Sequence, residues 1–225
     1  MNNDIQKWIL RDPARYAYLA DFAAYGAEVL QSDDDALVLL QKDSGIAYGA
    51  GSGIQPCPCR LMMVDTEEER DRLLEEKQFT DFFPCRMAYA PEPVKAAPVP
   101  DGIALRAMTP ADFAAIRYWY KSYVHVSDEE ILHSIRDGMT GAYEGSELCG
   151  FAGWHEEGTI GFLYVREEYR HRGIALALET HLIEKTQAAG RLAYVHVAEG
   201  NEASFALQRA CGMIIDEKPF YWMIR

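Results

Sequence analysis

Apolar residues near the start of the chain recur every three or four positions. Ile5, Trp8, Ile9, Tyr16, Leu19 and Ala23 lie at this helical spacing, and Pro13 marks a break or a second helix start among them. The pattern then changes. Ala36–Gln41 is a compact apolar run after the Asp33-Asp34-Asp35 turn, residues 46–54 are glycine-rich, and residues 60–64 form another short strand. Thr66 is placed to cap a helix, with Glu69 three residues on in capping-box position, and Leu73, Leu74 and Phe79 supply the buried face. Residues 85–90 read as a closing strand.

A stretch with neither period follows. Residues 90–102 contain four prolines, which remove backbone donors and stiffen the chain, so they predict an extended connector. Beyond it the pattern is clearer. Ile103–Ala107 predicts a strand, Thr109-Pro110 a helix start with Phe113, Ile116 and Tyr120 inward, and Ser127 a second helix with Ile131, Leu132 and Ile135 inward. Residues 141–144 and 148–155 read as two strands joined at Gly145-Ser146. Residues 159–165 are almost wholly apolar and predict a strand central in its sheet. A long helix over 173–189 stops at Gly190. A strand over 192–198, a helix over 204–211 and strands over 213–215 and Phe220–Ile224 complete the chain. The second part therefore runs βααβββαβαββ, a mixed α/β layout with helices between strands. The expected organisation is a smaller α/β domain over 1–90, a linker over 91–102 and a second domain over 103–225.

Charge narrows the function. Up to Lys95 there are 17 acidic and 10 basic residues, and beyond it 18 and 12, so the formal charge of -13 is spread along the chain. A nucleic-acid binder concentrates basic side chains on one face, and no such face is predicted. The five cysteines are odd in number, and Cys57-Pro58-Cys59 is too tight for an ordinary zinc knuckle, so reduced thiols and no metal are expected. The N-terminal residues show no basic stretch leading into an apolar one, and no apolar run approaches the ~20 residues of a membrane span; a cytoplasmic protein with no membrane partner is expected.

The densest basic cluster of this acidic chain is Arg166, Arg170, His171 and Arg172, placed between the strand over 159–165 and the helix that opens at Gly173. The first amides of a helix lack internal partners and, with the positive end of the helix dipole, suit a phosphate. Gly173 and the small Ala175 let that phosphate approach the backbone. The pattern is neither a P-loop nor a dinucleotide fingerprint.

The run from Leu163-Tyr164-Val165 through Arg170-His171-Arg172-Gly173-Ile174-Ala175 resembles motif A of the GNAT acyltransferase superfamily. The later run Tyr194-Val195-His196-Val197-Ala198-Glu199-Gly200-Asn201-Glu202-Ala203-Ser204, continuing to Cys211-Gly212-Met213, is similar to the FR47-like and glycine N-acyltransferase-like branch. The resemblance implies a mixed sheet splayed at the strand over 159–165, and acetyl-CoA as acyl donor. Leu163, Tyr164 and Val165 would pair with the pantetheine arm, Arg170, His171, Arg172, Gly173, Ile174 and Ala175 would hold the pyrophosphate, and Asn201 and Ser204 would bind the CoA arm. The implied reaction is N-acetyl transfer by direct attack of a primary amine of a small molecule, amino acid or peptide. Two positions depart from the family: Gln208 stands where many members have tyrosine, and Thr159 where some have glutamate. The candidate proton carriers are therefore His196, Tyr164 and Glu157, with His155 and Glu156 nearby. The same departures leave open a catalytically inactive acyl-CoA-binding protein. Tyr118, Trp119, Tyr120 and Tyr123 form an aromatic run that an acceptor could meet. Residues 1–90 could be a degenerate acyltransferase half, a lid, or a homodimer surface.

Overall fold

The computed structural model describes residues 2–120 and 126–225. Its backbone contacts separate two compact units. The first comprises residues 1–88, 196–205 and 215–225, and the second residues 89–195 and 206–214. The expected boundary over 91–102 thus does not divide the chain into two continuous pieces. The reason is strand pairing by the C-terminal segment, described below.

In the first unit, the helical spacing produces α1 (Asn3–Arg11), α2 (Pro13–Tyr16) and α3 (Tyr18–Ala24). Pro13 starts α2 rather than breaking a helix, and Asp12 caps it by accepting from the Arg15 amide at 3.2 Å. Strands β1 (Glu28–Ser32), β2 (Ala36–Gln41), β3 (Ile46–Gly51) and β4 (Leu61–Val64) follow, then α4 (Glu67–Glu75) and β5 (Asp81–Ala90). β5 begins four residues before the predicted 85–90 strand. β2 and β3 are buried along nearly their whole length, which explains why their sequences lack polar alternation. One face, with Val38, Leu40, Met62 and Val64, packs on Leu73 and Phe79.

Thr66 caps α4 as predicted, accepting from the Glu69 amide at 3.2 Å. The capping box is left half-formed because the Glu69 carboxylate turns to the chain before β4. It accepts from the amides of Gly53 at 3.0 Å and Ile54 at 2.9 Å, and pairs with Arg72. Gly51 shows why this segment is glycine-rich. Its φ is +87°, and a Cβ there would lie 2.0 Å from the Asp35 carbonyl oxygen and 2.5 Å from the Trp8 ring. Gly51→Ala should therefore destabilise the first unit by about 2–4 kcal/mol, from backbone strain and displacement of Asp35. Urea unfolding followed by Trp fluorescence measures this; a loss below 0.5 kcal/mol, the scale of an ordinary surface change, would contradict it.

The second unit opens with β6 (Ile103–Ala107), the short 3-10 turn Pro110–Asp112, α5 (Phe113–Trp119) and α6 (Asp128–Arg136). β7 (Thr140–Glu144), β8 (Glu147–Trp154) and β9 (Ile160–Val165) complete a four-stranded sheet of order β6-β7-β8-β9, with every pair antiparallel. β9 therefore ends this sheet and is not central in it. Its apolar character comes from packing of Phe162 with Phe151, Ile116 and Ile131, not from a second strand neighbour. α7 (Ile174–Ala188), β10 (Ala193–Ala198), α8 (Glu202–Ala210), β11 (Ile214–Ile215) and β12 (Phe220–Ile224) follow.

β12 pairs antiparallel with β4, Tyr221 opposite Val64, and with β5, Phe220 opposite Cys85. This pairing carries the end of the chain into the first unit. The large sheet has the order β1-β2-β3-β4-β12-β5-β10, with β11 paired to β5. β9 and β10, which flank α7 in sequence, end different sheets. The large sheet is mixed, since β3 and β4 pair in parallel while the β2–β3, β4–β12 and β12–β5 ladders are antiparallel, as the resemblance implied of the fold.

The proline-rich segment is extended, but it is tied to α7. The Val94 amide donates to Gln187 Oε1 at 2.8 Å and the Ala97 amide to Thr180 Oγ1 at 2.8 Å. The Gln187 amide group donates to the carbonyls of Ala90 at 3.2 Å and Glu92 at 2.8 Å. Proline spacing leaves few backbone donors, and helix side chains take up two of them.

Candidate functional site

The start of α7 is the most distinctive backbone feature of the second unit. After β9 the chain makes a 3-10 turn over Glu167–Tyr169, and His171 then adopts φ +59° and Gly173 φ +82°. Gly173 is the N-cap and supplies no side chain, so the amides of Gly173, Ile174, Ala175 and Leu176 meet no acceptor among the described residues. The first helical bond runs from the Ala177 amide to the Gly173 carbonyl at 3.0 Å. Several amides thus face outward at the positive end of a 15-residue helix. A Cβ on Gly173 would meet only Pro100 Cγ, at 3.6 Å, so the space in front of this turn is open.

The basic residues divide by partner. Arg166 pairs with Glu147 at 2.9 Å and with Glu168 at 2.5 Å, and lies over the Trp119 and Tyr169 rings. These contacts tie it to the turn. Arg172 reaches Glu144 at 2.6 Å across an exposed surface, a pairing that a stronger anion can displace. Arg170 is exposed and donates through Nε to the Val165 carbonyl at 3.1 Å; His171 is exposed beside it. The charge offered to an anion therefore comes from Arg170 and, in part, Arg172, with the His171 ring beside them.

Leu163, Tyr164 and Val165 lie on β9. β8 occupies one edge, with Phe151 opposite Tyr164 and Gly150 opposite Val165. The ladder is irregular between Phe151 and Gly153, and Phe162 has φ +50°, an uncommon conformation for an aromatic residue. The bulge could not be read from the sequence, because neither a glycine nor a proline occupies Phe162. Gly161 permits it: a Cβ there would lie 2.2 Å from His155 Nε2, whose ring stacks on Phe162 at 4.4 Å.

The three candidate proton carriers have different surroundings. Glu157 is 5% exposed, and its Oε1 accepts from the Thr159 hydroxyl at 2.7 Å. The residue that replaces the family's glutamate thus orients another glutamate two positions earlier. Tyr194 adds a bond from its hydroxyl to the Glu157 carbonyl at 3.3 Å. Tyr164 is stacked between Phe151, at 5.8 Å and 28°, and Trp119, at 6.0 Å and 24°. His196 belongs to the first unit, where its ring lies edge-on to Tyr48 at 6.0 Å and to Trp222 at 5.5 Å. Asn201 and Ser204 also belong to that unit, and Asn201 Oδ1 accepts from the Ser204 amide at 3.1 Å as a helix cap.

Of the aromatic run, Tyr118 is exposed and edge-on to Trp119, and Tyr120 is buried against Phe162 and Phe151. Tyr123 lies outside the described residues. A cavity of about 330 Å³ in the first unit is lined by Asp12, Arg15, Tyr16, Asp65, Glu67 and Tyr221, among others. Its tyrosines already donate to its acids, Tyr16 to Asp65 at 2.5 Å and Tyr221 to Glu67 at 2.9 Å. It therefore offers little unused hydrogen-bonding capacity. Among the described residues, no helix is long and apolar enough to cross a membrane, and no group of three or more His, Cys, Asp or Glu is placed to hold a metal ion.

Comparison with known proteins agrees with this geometry. Residues 106–213 match the model of the acetyltransferase (GNAT) family, a span that includes β9, the turn and α7. This segment, just under half of the chain, is therefore similar to the acetyltransferase (GNAT) family. In fold, the chain is similar to the crystal structure of a Drosophila protein, with a TM-score of 0.76 at 12% identity over 99% of this chain and 95% of that one. It is also similar to a GCN5-related N-acetyltransferase-like protein from Streptococcus suis, with a TM-score of 0.59 at 13% identity over 99% of both chains. A GCN5-related N-acetyltransferase from Sphaerobacter thermophilus gives 0.53 at 17% identity, over 87% of this chain and 82% of that one. No curated protein matches significantly.

Proposed function

We propose that the protein is an N-acetyltransferase that moves an acetyl group from acetyl-CoA to a primary amine of a small molecule, amino acid or peptide. The observation that carries this reading is the set of unpartnered amides from Gly173 to Leu176, open to the surface beside Arg170 and His171, within the segment that matches the acetyltransferase family. A pyrophosphate fits such a turn, since it carries several acceptors and no donors. The edge of β9 away from β8 would pair with the amides of the pantetheine arm as an added strand does.

In the proposed reaction the neutral amine attacks the thioester carbon, a C–N bond forms, and the C–S bond breaks to release CoA thiolate. The amine must lose a proton, and Glu157 is the best-placed acceptor of the three candidates: it is buried, and Thr159 fixes its orientation. Tyr164 and His196 are instead held by aromatic neighbours.

Calorimetry with acetyl-CoA, followed by thiol release with a panel of primary amines, tests the reading. Micromolar binding and amine-dependent thiol release are expected. Glu157→Gln should lower kcat by about 100-fold with little change in KM for acetyl-CoA. Absence of binding at millimolar acetyl-CoA would overturn the cofactor assignment. Binding without turnover across the panel would favour the inactive acyl-CoA-binding protein. An unchanged kcat in Glu157→Gln would move the proton-transfer role elsewhere.

A further inference from the structure

Glu179 interrupts the apolar face of α7. It lies among Ala177, Leu178, Leu182 and Ile183, all buried, and is itself 1% exposed. Gln208 of α8, 2% exposed, hydrogen-bonds to its carboxyl group. Glu179 Oε1 and Gln208 Oε1 have no partner among the described residues. The contact is thus a buried acid with one oxygen satisfied, facing an amide whose own acceptor is unused. Such a pair is costly in the ionised form, because one buried oxygen would carry charge without a donor.

The groups that act on this carboxyl bring little charge. α8 contributes Gln208, and the turn after it contributes Cys211, whose thiol burial and Glu179 together push up to about 12. No Lys, Arg or His among the described residues acts on Glu179. By contrast, Thr180 and Thr186 on the same helix satisfy their hydroxyls on the Leu176 carbonyl at 2.7 Å and the Leu182 carbonyl at 2.8 Å. Glu179 has no such local outlet.

We propose that Glu179 is a proton-operated latch between α7 and the C-terminal half of α8. The neutral acid packs against Gln208, and the carboxylate loosens residues 206–213. Burial pushes this carboxyl up to about 7, so its charge changes near neutral pH. The folded state then holds the proton more tightly than the open one. The stabilisation is complete below the open-state value of about 4.5, is lost as pH rises toward 7, and is absent above it. A shift of this size limits the change in the opening equilibrium to roughly 300-fold.

The experiment is hydrogen exchange of the full chain from pH 4.5 to 8.5, corrected for intrinsic rates, on wild type, Glu179→Gln and Glu179→Leu. In wild type, protection of residues 206–210 should fall by about 30- to 300-fold as pH rises to 7, then level off. Both variants should show no such fall, and α4, far along the chain, should stay level in all three proteins. A pH-independent wild type, an equal fall in Glu179→Gln, or an equal fall in α4 would each overturn the proposal. If neither variant folds, a carbon-detected titration of Glu179 in wild type decides: a midpoint near 7 supports the latch and one near 4.5 overturns it. None of these readouts involves acetyl-CoA, so the latch and the proposed reaction stand or fall separately.

Discussion

Gly173→Asp should lower acetyl-CoA affinity by at least about 100-fold, or roughly 2.7 kcal/mol, while leaving the fold intact. Gly173 has φ +82°, and a Cβ there touches nothing closer than Pro100 Cγ at 3.6 Å. The substitution therefore causes no clash. Aspartate is also among the residues that tolerate the left-handed region, so the strain is small. What changes is charge: a carboxylate is placed at the amides proposed to hold a pyrophosphate. Its own oxygens can cap them, and it repels the ligand. Gly173→Ala is the control. It adds about 1 kcal/mol of conformational strain but no charge, so its affinity should fall less than 10-fold. Calorimetry measures both, with a thermal melt to show that each variant is folded. Normal affinity in a folded Gly173→Asp would remove the pyrophosphate from this turn. Equal losses in the two variants would mean that backbone conformation, and not charge, governs binding there.

The largest expected effect on stability is at Arg15. Its guanidinium is almost fully buried in the first unit and makes four hydrogen bonds: to Asp216 Oδ2 at 2.8 Å and to the carbonyls of Lys218 at 3.3 Å, Asp65 at 2.7 Å and Pro219 at 3.0 Å. It also lies 4.0 Å over the Phe220 ring. One side chain thus ties α2 to the turn before β12 and to the end of β4. Arg15→Met keeps much of the volume but leaves a carboxylate and three carbonyls without their donor. The cost should be about 3–5 kcal/mol, mainly from the stranded acceptors. That corresponds to a fall in Tm of roughly 6–20 °C for a chain of this size. Replacing Asp216 with Leu in the same background should recover part of the loss, because the two residues form one network. A Tm within 2 °C of wild type in Arg15→Met would show that water replaces the guanidinium at little cost.

Much of the local structure was legible because it depends on neighbours in sequence. Thr66 announces a helix start, since a capping side chain acts within three residues, whereas Pro13 alone left a break or a second start open. Phe220–Ile224 was read to the residue from its unbroken apolar and aromatic run. The turn at Arg170 to Ala175 was legible for the same reason: a strand end, a cluster of cations, a glycine and a helix start are contiguous. Its resemblance to the acetyltransferase family is what suggested a CoA pyrophosphate as the anion.

The misread features involve residues distant in sequence. The run over 159–165 looked like a central strand because it is apolar. Yet the residues that bury it come from α5, α6 and β8, and the sheet stops there. Arg166 stands in the basic cluster of the sequence, yet Glu147, nineteen residues earlier, pairs with it at 2.9 Å. Thr159 looked like a lost catalytic position, but its hydroxyl orients Glu157 at 2.7 Å. Glu179 stands in a helix of good helix formers, and only tertiary packing brings Gln208 of α8 against it.

By itself, then, the sequence determined most of the helices and strands, though not β1 or the start of β5, and which helix start carries the cluster of basic residues. Those features arise from backbone preferences and contacts within a few residues. Only the tertiary structure decided which strands end a sheet, that β12 returns to pair with β4 and β5, which arginines are already neutralised, and that Glu179 is sealed from water. These depend on partners brought together by burial, which sequence spacing does not encode. For the turn at Gly173, the tertiary structure showed Arg166 paired with Glu147 and Glu168, and the Gly173–Leu176 amides without an acceptor among the described residues.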